Sequence, residues 1–251
     1  MTRPPTEWDA VAYHQVSAPQ TGWGHTVLAW LALTGRERAI DAGCGTGRLT
    51  AALAERVPDG HVVAVDRSWN MLQVARTNLR PAFGRRISLV QASLPALPVA
   101  GWADVVFSTA TFHWIADHPA LFANIFAALV AGGRLHAQCG GGPNLRAAHA
   151  LAARVMRQPP FAPHFHAWPG VWTFATAEET AARLTAAGFV NVVTSLEAAP
   201  TTLATEHDYR AFVTTVIYHP HLARLPDALR MPFIDAVTVL AAAEAPPFTL
   251  D

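Results

Sequence analysis

Short apolar runs alternate with segments of helical periodicity through the first half of the chain. Five such runs predict strands, at residues 38–42, 61–65, 87–91, 104–108 and 134–138. Apolar residues at helical spacing predict helices between them, at 49–57, 69–79 and 119–130. Strands that alternate with helices form a parallel sheet covered on both faces. The pattern therefore predicts an α/β, doubly wound fold.

The pattern changes after residue 139. A glycine-rich stretch at 140–143 precedes helical segments at 144–156, 176–187 and 206–243, the last interrupted by prolines. Residues 158–173 lack periodicity and predict a loop, whereas 190–196 predict a further strand. We expect this half of the chain to be insertions packed on the sheet, not a second independent domain.

Composition narrows the classes of function. The chain has 251 residues, and its 18 basic residues, all arginine, balance 18 acidic ones. The absence of lysine excludes a P-loop nucleotide site, a pyridoxal Schiff base and a kinase strand lysine. Balanced charge gives no field that favours nucleic acid or anionic lipid.

The remaining composition concerns compartment and partners. Two cysteines cannot form a disulfide framework or a Cys-rich zinc site. The N-terminal residues 1–9 lack the apolar core of a signal peptide, and no apolar run reaches the about eighteen residues of a membrane span. We predict a soluble, cytoplasmic monomer or homodimer with no metal and no nucleic-acid or membrane partner.

The strongest chemical signal follows the first predicted strand, at residues 40–48 (IDAGCGTGR). Gly43, Gly45 and Gly47 stand between a strand and a helix, where glycine permits a sharp turn and the close approach of a ligand. The first amides of the helix add hydrogen-bond donors. Asp66 ends the second strand, where a carboxylate accepts hydrogen bonds from the ribose hydroxyls of an adenosine-containing ligand.

The glycine spacing distinguishes two such ligands. A dinucleotide fingerprint is G-x-G-x-x-G, and Arg48 occupies its third glycine position. Asp41 precedes the turn, where a carboxylate repels a pyrophosphate but suits an ammonium or sulfonium group. The residues therefore favour S-adenosyl-L-methionine over NAD.

These motifs, in this order, resemble the class I S-adenosylmethionine-dependent methyltransferases, in the small-molecule group that includes the trans-aconitate methyltransferases. The resemblance runs from about residue 8 to residue 193 and is specific in four segments, at 41–47, 63–71, 103–114 and 129–135. It implies a mostly parallel, seven-stranded Rossmann-like sheet of order 3-2-1-4-5-7-6, with strand 7 antiparallel and with helical cap insertions.

The resemblance also implies how the chain is divided. N-terminal lid helices are expected at 1–34, a cofactor-binding core at 35–139, and cap insertions with the C-terminal part of the same domain at 140–251. The implied cofactor-binding residues are Asp41, Gly43, Gly45, Gly47, Asp66, Arg67, Met71, Ala92, Ser93, Leu94 and Ser108.

Two segments depart from the family pattern. The family often carries an aspartate near the adenine amino group, and Ser93 stands in that segment without a charge. The chain stops at 247–251 (PFTLD), which is similar to the start of strand 7. That strand is therefore expected to be truncated or unusually short.

Histidines supply the candidates for proton transfer. His113 follows the fourth predicted strand, at the edge where open α/β sheets bind ligands. It is the candidate catalytic base for a hydroxyl acceptor, whereas a carboxylate acceptor needs none; a lining histidine is the alternative interpretation. The histidine pairs 164/166 and 219/221 flank prolines. They are interpreted as loop histidines in preference to metal ligands.

The leading hypothesis is an enzyme that methylates an oxygen of a small molecule. An aconitate-like carboxylate is one possible acceptor, and a secondary-metabolite hydroxyl or a nitrogen is another. Aromatic residues in 158–173, with Arg146, Arg157 and Arg210, favour a lid over an aromatic or carboxylate acceptor, unless those arginines are ordinary surface charges. A non-catalytic protein that binds S-adenosylmethionine is the alternative class.

Overall fold

The computed structural model describes residues 7–251 of the chain. Residues 1–6 of the predicted N-terminal lid lie outside the described residues. The central sheet contains β1 (Arg38–Ala42), β2 (His61–Asp66), β3 (Ile87–Gln91), β4 (Ala103–Thr109) and β5 (Leu129–Gln138). All its pairs are parallel, and the order is β3-β2-β1-β4-β5. The α/β, doubly wound prediction is confirmed.

Helices connect the strands and continue beyond them. Those before β5 are α1 (Ala10–Val16), α2 (Ala18–Trp30), α3 (Arg48–Arg56), α4 (Trp69–Phe83) and α5 (His118–Ala128). Those after it are α6 (Arg146–Met156), α7 (Ala177–Ala186), α8 (Glu206–Phe212), α9 (His219–Leu222) and α10 (Asp227–Ala242). Within residues 7–251, no helix combines the length and the apolar character that crossing a membrane requires.

Successive strand residues face opposite sides of the sheet, as a period of two requires. Ala39 packs in the cluster formed with α2 and α3, whereas Ile40 packs in the cluster formed with α5. Val62 and Val63 divide in the same way. Both faces of the sheet are therefore buried. A ligand can approach the sheet at the carboxyl ends of its strands, the edge where open α/β sheets bind ligands.

The expected seven-stranded sheet is corrected to five strands in the described chain. Residues 190–196 form no strand: Val190 and Val193 are 81% and 92% exposed, and the hydroxyl of Thr194 donates to the carbonyl of Ala177 in α7. An apolar alternation produces a strand only where a neighbouring edge offers backbone partners. The pair β6 (Thr201–Thr202) and β7 (Thr249–Leu250) is antiparallel but forms a separate sheet.

The C-terminal half has an apolar core of its own. Leu151 of α6, Phe212 of α8 and Phe233 of α10 are buried together, with Leu250 of β7 in the same cluster. Helix α7 instead contacts α5 and the sheet layer through Leu184. The cap therefore has a core separate from the two clusters that cover the faces of the sheet.

Glu37 fixes the entry into β1. Its carboxylate is 7% exposed and accepts hydrogen bonds from the amide of Thr34 at 2.5 Å and the amide of Gly35 at 3.0 Å. Burial acts to raise the pKa of Glu37, but these hydrogen bonds outweigh it and lower the pKa. The stabilisation is therefore present above the usual carboxyl pKa and is lost as the pH falls through the lowered value.

We expect Glu37→Gln to lower the free energy of unfolding by about 1–3 kcal/mol at pH 7, because an amide cannot accept every bond that the carboxylate accepts. Urea denaturation measures this loss. Glu55→Gln, at an exposed position of α3, is the control and should change the free energy by less than about 0.5 kcal/mol. Equal losses in the two variants would contradict this role of Glu37.

Candidate functional site

The turn between β1 and α3 is held by hydrogen bonds to β2. The amides of Gly43 and Cys44 both donate to the carbonyl of Val65, at 2.8 and 2.9 Å. The φ angles of Gly43, Gly45 and Gly47 are +87°, +52° and +83°. Glycine adopts such angles without the strain that a Cβ atom adds. The predicted glycine turn therefore lies where the sequence places it, at the carboxyl edge of β1.

The two sides of this turn differ in the space that they offer. A Cβ atom on Gly43 would lie 2.1 Å from the hydroxyl oxygen of Thr111. A Cβ atom on Gly45 would meet nothing within 4 Å. The backbone is thus packed on the turn after β4 at Gly43 and open at Gly45, so a ligand can lie against the open side.

Asp66 connects the turn to the start of α4. Its Oδ2 accepts the amide of Gly45 at 2.9 Å, and its Oδ1 accepts the amide of Ser68 at 2.8 Å. Burial raises the pKa of Asp66, against the effect of these two hydrogen bonds. Each carboxylate oxygen retains acceptor capacity. A diol of a bound ligand can therefore donate to Asp66 without breaking the turn.

Asp41 lies beneath the same turn and is 2% exposed. The hydroxyl of Thr50 donates to its carboxylate at 2.6 Å. Burial raises the pKa of Asp41 to about 7, and the nearby charge of Asp66 acts in the same direction. Because a cation nearby stabilises an ionised carboxylate, this group suits a positively charged ligand.

The other predicted cofactor-binding residues differ in their exposure and in their hydrogen bonds. Met71 is buried in the first turn of α4, and its amide donates to Oγ of Ser68 at 3.2 Å. Arg67 is exposed. The hydroxyl of Ser108 donates to the carbonyl of Ala42 at 2.6 Å, so it joins the ends of β1 and β4.

The segment after β3 lies beside Asp66. The amide of Ala92 donates to the Asp66 carbonyl at 3.1 Å. Ser93 is exposed and Leu94 is 5% exposed. The structure thus brings the predicted residues of β1, β2 and β3 to one edge, as parallel strands require.

His113 lies in a helical turn after β4, Phe112–Trp114. The amide of Gly140 donates to Nδ1 of His113 at 3.0 Å, which assigns the hydrogen of the neutral ring to Nε2. Burial lowers the pKa of His113 to about 4. The ring is therefore neutral, with an N–H donor at Nε2 and its acceptor nitrogen already occupied.

Cys44 lies in the glycine turn itself. Burial, with the charges of Asp66 and Asp41, raises the pKa of Cys44 well above its usual value, so this cysteine is a packed thiol.

Across the part of the chain that the structure describes, no three His, Cys, Asp or Glu side chains are grouped closely enough to hold a metal ion.

Helix α1 and the residues before it contact the glycine turn and the start of α4, and the sequence did not predict these contacts. Nδ1 of His14 lies 2.8 Å from Oγ1 of Thr46, and the guanidinium of Arg48 donates to the His14 carbonyl at 2.5 Å. Oγ of Ser68 donates to the carboxylate of Glu7 at 2.6 Å. These partners are 32, 34 and 61 residues apart in sequence, and no local spacing signals such pairs.

Comparison with known proteins agrees with this geometry. A family model described as a methyltransferase domain matches residues 39–133, which contain the glycine turn and Asp66. A trans-aconitate 2-methyltransferase of Methylobacterium nodulans is 33% identical over 72% of this chain and 69% of its own length. The chain belongs to the family of S-adenosylmethionine-dependent methyltransferases.

Solved structures of the methyltransferase family extend the comparison. An S-adenosylmethionine-dependent methyltransferase from Mesorhizobium loti aligns with a TM-score of 0.52 and 25% identity, over 66% of this chain and 80% of that one. Phosphoethanolamine N-methyltransferase 2 of Haemonchus contortus, in complex with S-adenosyl-L-methionine, shares the fold, with a TM-score of 0.60 and 17% identity over 96% and 54% of the two chains. The chain spans about half the length of most of the curated relatives that it matches.

Two glycines of the turn provide a matched test of its packing. We expect Gly45→Ala to lower the free energy of unfolding by about 1–2 kcal/mol, the cost of a positive φ for a residue with a Cβ atom. Gly43→Ala should cost about 1–3 kcal/mol more, because its Cβ also overlaps Thr111. Urea denaturation compares the two variants, and equal losses would show that Thr111 does not restrict the turn.

Proposed function

We propose that the protein transfers a methyl group from S-adenosyl-L-methionine to an oxygen atom of a small molecule. The observation that carries the proposal is the glycine turn, open at Gly45 and tied by the carboxylate of Asp66, with the buried carboxylate of Asp41 beneath it. The trans-aconitate 2-methyltransferases among the relatives support an oxygen acceptor.

The residues present fit this cofactor. Asp66 retains acceptor capacity for the two ribose hydroxyls. Asp41 offers a negative charge to the cationic end of the ligand. The amide of Ala92 donates to the Asp66 carbonyl, so Ala92 and Leu94 of this segment would hold the adenine, and Met71 of α4 would add apolar surface.

When bound, the cofactor supplies an electrophilic methyl carbon: an acceptor lone pair forms the C–O bond while the C–S bond breaks with its electrons to sulfur. The chain contributes position and the exclusion of water, which account for much of the rate in such displacements. Trp8 covers the edge: its ring centre is 5.2 Å from that of Trp114 and 5.7 Å from that of Tyr13.

The proposed role of His113 is that of a hydrogen-bond donor. Because Nδ1 accepts the Gly140 amide, the free Nε2–H can donate to an acceptor oxygen and hold it in place. The lowered pKa opposes a role as base. A hydroxyl acceptor would then release its proton to solvent water, whereas a carboxylate acceptor has none to release.

Asp66 should decide cofactor affinity. We expect the wild-type chain to bind S-adenosylhomocysteine with micromolar affinity and Asp66→Ala to bind at least about tenfold more weakly, a loss of about 1.4 kcal/mol, because the ribose loses its acceptor. Isothermal calorimetry measures both, with the exposed Asp59→Ala as control. No binding by the wild type would refute the proposed function, and equal affinities would remove Asp66 from the site.

Asp41 should make cofactor affinity depend on pH. With a pKa of about 7, Asp41 is mostly protonated at pH 6 and mostly ionised at pH 8. Because the ionised form attracts the cationic end of the ligand, S-adenosylhomocysteine should bind about tenfold more tightly at pH 8 than at pH 6. Calorimetry across this range provides the measurement.

The control for this pH effect is Asp41→Asn, which keeps an acceptor for Thr50 but cannot ionise. Its affinity should vary little between pH 6 and pH 8. An unchanged pH dependence in this variant would assign the titration to another group. The half-buried Asp104, at the opposite end of the strands, provides a second control as Asp104→Asn, which should show the pH dependence of the wild type.

A further inference from the structure

A cluster of rings lies beyond the carboxyl end of β4, outside the residues assigned to the cofactor. At its centre are His149 of α6 and His221 of α9, the histidine pair, whose ring centres are 6.4 Å apart. The surrounding rings contact the pair at 4.5–5.9 Å between centres; they belong to Phe165, Trp168, Trp172, Phe174, Tyr218 and Phe233.

Each member of the histidine pair carries a buried nitrogen with no partner. Nε2 of His149 and Nδ1 of His221 accept or donate no hydrogen bond within residues 7–251. A buried polar atom left unpaired costs about 1–3 kcal/mol. Two such atoms facing a common cluster are unusual in a native protein, where buried polar groups are nearly always paired. A ligand group that paired both would remove this cost.

The histidine pair is joined to the reaction edge through ring contacts. The ring of Phe174 lies 5.8 Å from that of His113 and 5.9 Å from that of His149, between centres. Trp172 lies 5.9 Å from Trp114 and 4.5 Å from His149. Because Phe174 contacts both His113 and His149, an acceptor of two rings is long enough to reach from His113 to the histidine pair.

The rings of the cluster carry no positive charge to attract an anionic ligand. Burial lowers the pKa of His149 and lowers that of His221 to about 3, so both rings are neutral at pH 7. The carboxylate of Asp251 is the charge felt by His149, and it is negative. Arg224 contacts the cluster only at the ring of Trp168, 5.7 Å from its centre, and it is exposed, with Nε donating to the carbonyl of His164.

The arginines considered from the sequence for carboxylate binding are also placed elsewhere. Arg146 and Arg157 are exposed, and Arg210 forms an ion pair with Asp235 at 2.5 Å. A carboxylate drawn into the cluster would be a buried charge without a counter-ion, which is strongly disfavoured. An uncharged polar group meets no such penalty.

We propose that the histidine pair recognises a hydroxyl group at the far end of a planar, uncharged acceptor whose near end is methylated beside His113. This inference rests on the proposed methyl transfer and names its substrate class. The near-end reaction forms the C–O bond of a methyl ether, breaks the C–S bond with its electrons to sulfur, and releases the hydroxyl proton to water.

A hydroxyl matches the histidine pair in hydrogen-bonding capacity. A neutral imidazole offers one donor and one acceptor nitrogen, and a hydroxyl is both donor and acceptor. Two hydrogen bonds of about 2.8 Å that meet at a hydroxyl oxygen near the tetrahedral angle join nitrogens about 4.6 Å apart. Ring centres 6.4 Å apart allow that separation when the two nitrogens lie on the facing sides of the rings. One hydroxyl can therefore bridge the two unpaired nitrogens.

The acceptor enters by displacing the aromatic cover of the pair. Trp168 and Trp172 contact His221 from residues 166–174, a segment without helix or strand. Both tryptophans are half-buried, and Val171 between them is exposed. Movement of this segment would leave the tryptophan faces against the planar body of the acceptor, where offset stacking is favourable.

Three probes that differ at one end test the inference. They are 4,4′-dihydroxybiphenyl, 4-hydroxybiphenyl and 4′-hydroxybiphenyl-4-carboxylate, and each keeps a hydroxyl for methylation. Quenching of tryptophan fluorescence measures their binding with and without S-adenosylhomocysteine, and therefore needs no turnover. We expect the dihydroxy probe to bind at least about tenfold more tightly than either of the others, since a site built for a hydroxyl rejects its absence.

Variants of the pair show which residues provide this preference. In His149→Phe and His221→Phe, the preference for the dihydroxy probe over 4-hydroxybiphenyl should fall to about twofold or less, while the affinity for S-adenosylhomocysteine is unchanged. If methylation occurs, KM for the dihydroxy probe should rise while kcat is retained. His166→Phe, at an exposed position of the same segment, should keep the wild-type preference.

Each outcome is decisive. Equal binding of the three probes by the wild type, or preference for the carboxylate, overturns the inference whether or not the variants fold. Retention of the preference in both variants also overturns it. Failure of the proposed function is separate, because it appears as absent binding of S-adenosylhomocysteine, whereas the probe series is read from acceptor binding alone.

Discussion

The carboxylate of Asp66 is the group on which the geometry of the site depends. It accepts one amide from the glycine turn after β1 and one from the start of α4, so it fixes the positions of two loops with a single side chain. The amides of Gly43 and Cys44 add a backbone link from the same turn to Val65 of β2. The open side at Gly45 follows from these constraints, because the turn can neither collapse onto β2 nor move away from it.

The order of the strands explains why the chemistry collects at one edge. With β1 between β2 and β4, the glycine turn lies between Asp66 on one side and the His113 turn on the other. Helix α1 closes over this edge through His14, and the ring contacts of Trp8 continue the cover towards Trp114. The cap adds a second, largely aromatic wall, which contains the histidine pair. Under the proposed function, the charged end of the cofactor and the uncharged acceptor would meet different surroundings.

The strands of the sheet and the glycine turn could be predicted from the sequence because both depend on local signals. The bounds of β1 and β3 agree with the predicted runs, because apolar runs between turn residues have few alternatives. The glycine turn and Asp66 were identified because their chemistry demands particular residue types at particular spacing. The strand predicted at 190–196 was wrong, because its apolar residues find no partner edge and remain exposed. Pairing is a tertiary property that an alternating pattern does not contain.

Other features of the site depend on contacts across long sequence separations. The Gly140 amide that occupies Nδ1 of His113 lies 27 residues away, and this contact takes up the acceptor nitrogen of a ring that the sequence offered as a candidate base or as a lining histidine. The unpaired nitrogens of His149 and His221 become visible only when their surroundings are known, since His149 stands in no motif and the spacing of the 219/221 pair does not indicate what His221 packs against. Sequence spacing identifies groups that act through local backbone geometry, whereas side chains that act through packing require the fold.

A crystal structure of the complex with S-adenosylhomocysteine tests the central claim most directly. The prediction is that both ribose hydroxyls donate to Asp66 while the Gly45 and Ser68 amides keep their hydrogen bonds to it. The cationic end of the ligand should lie on the Asp41 side of the turn. Density for the ligand away from the glycine turn, or a ribose that makes no contact with Asp66, would contradict the claim.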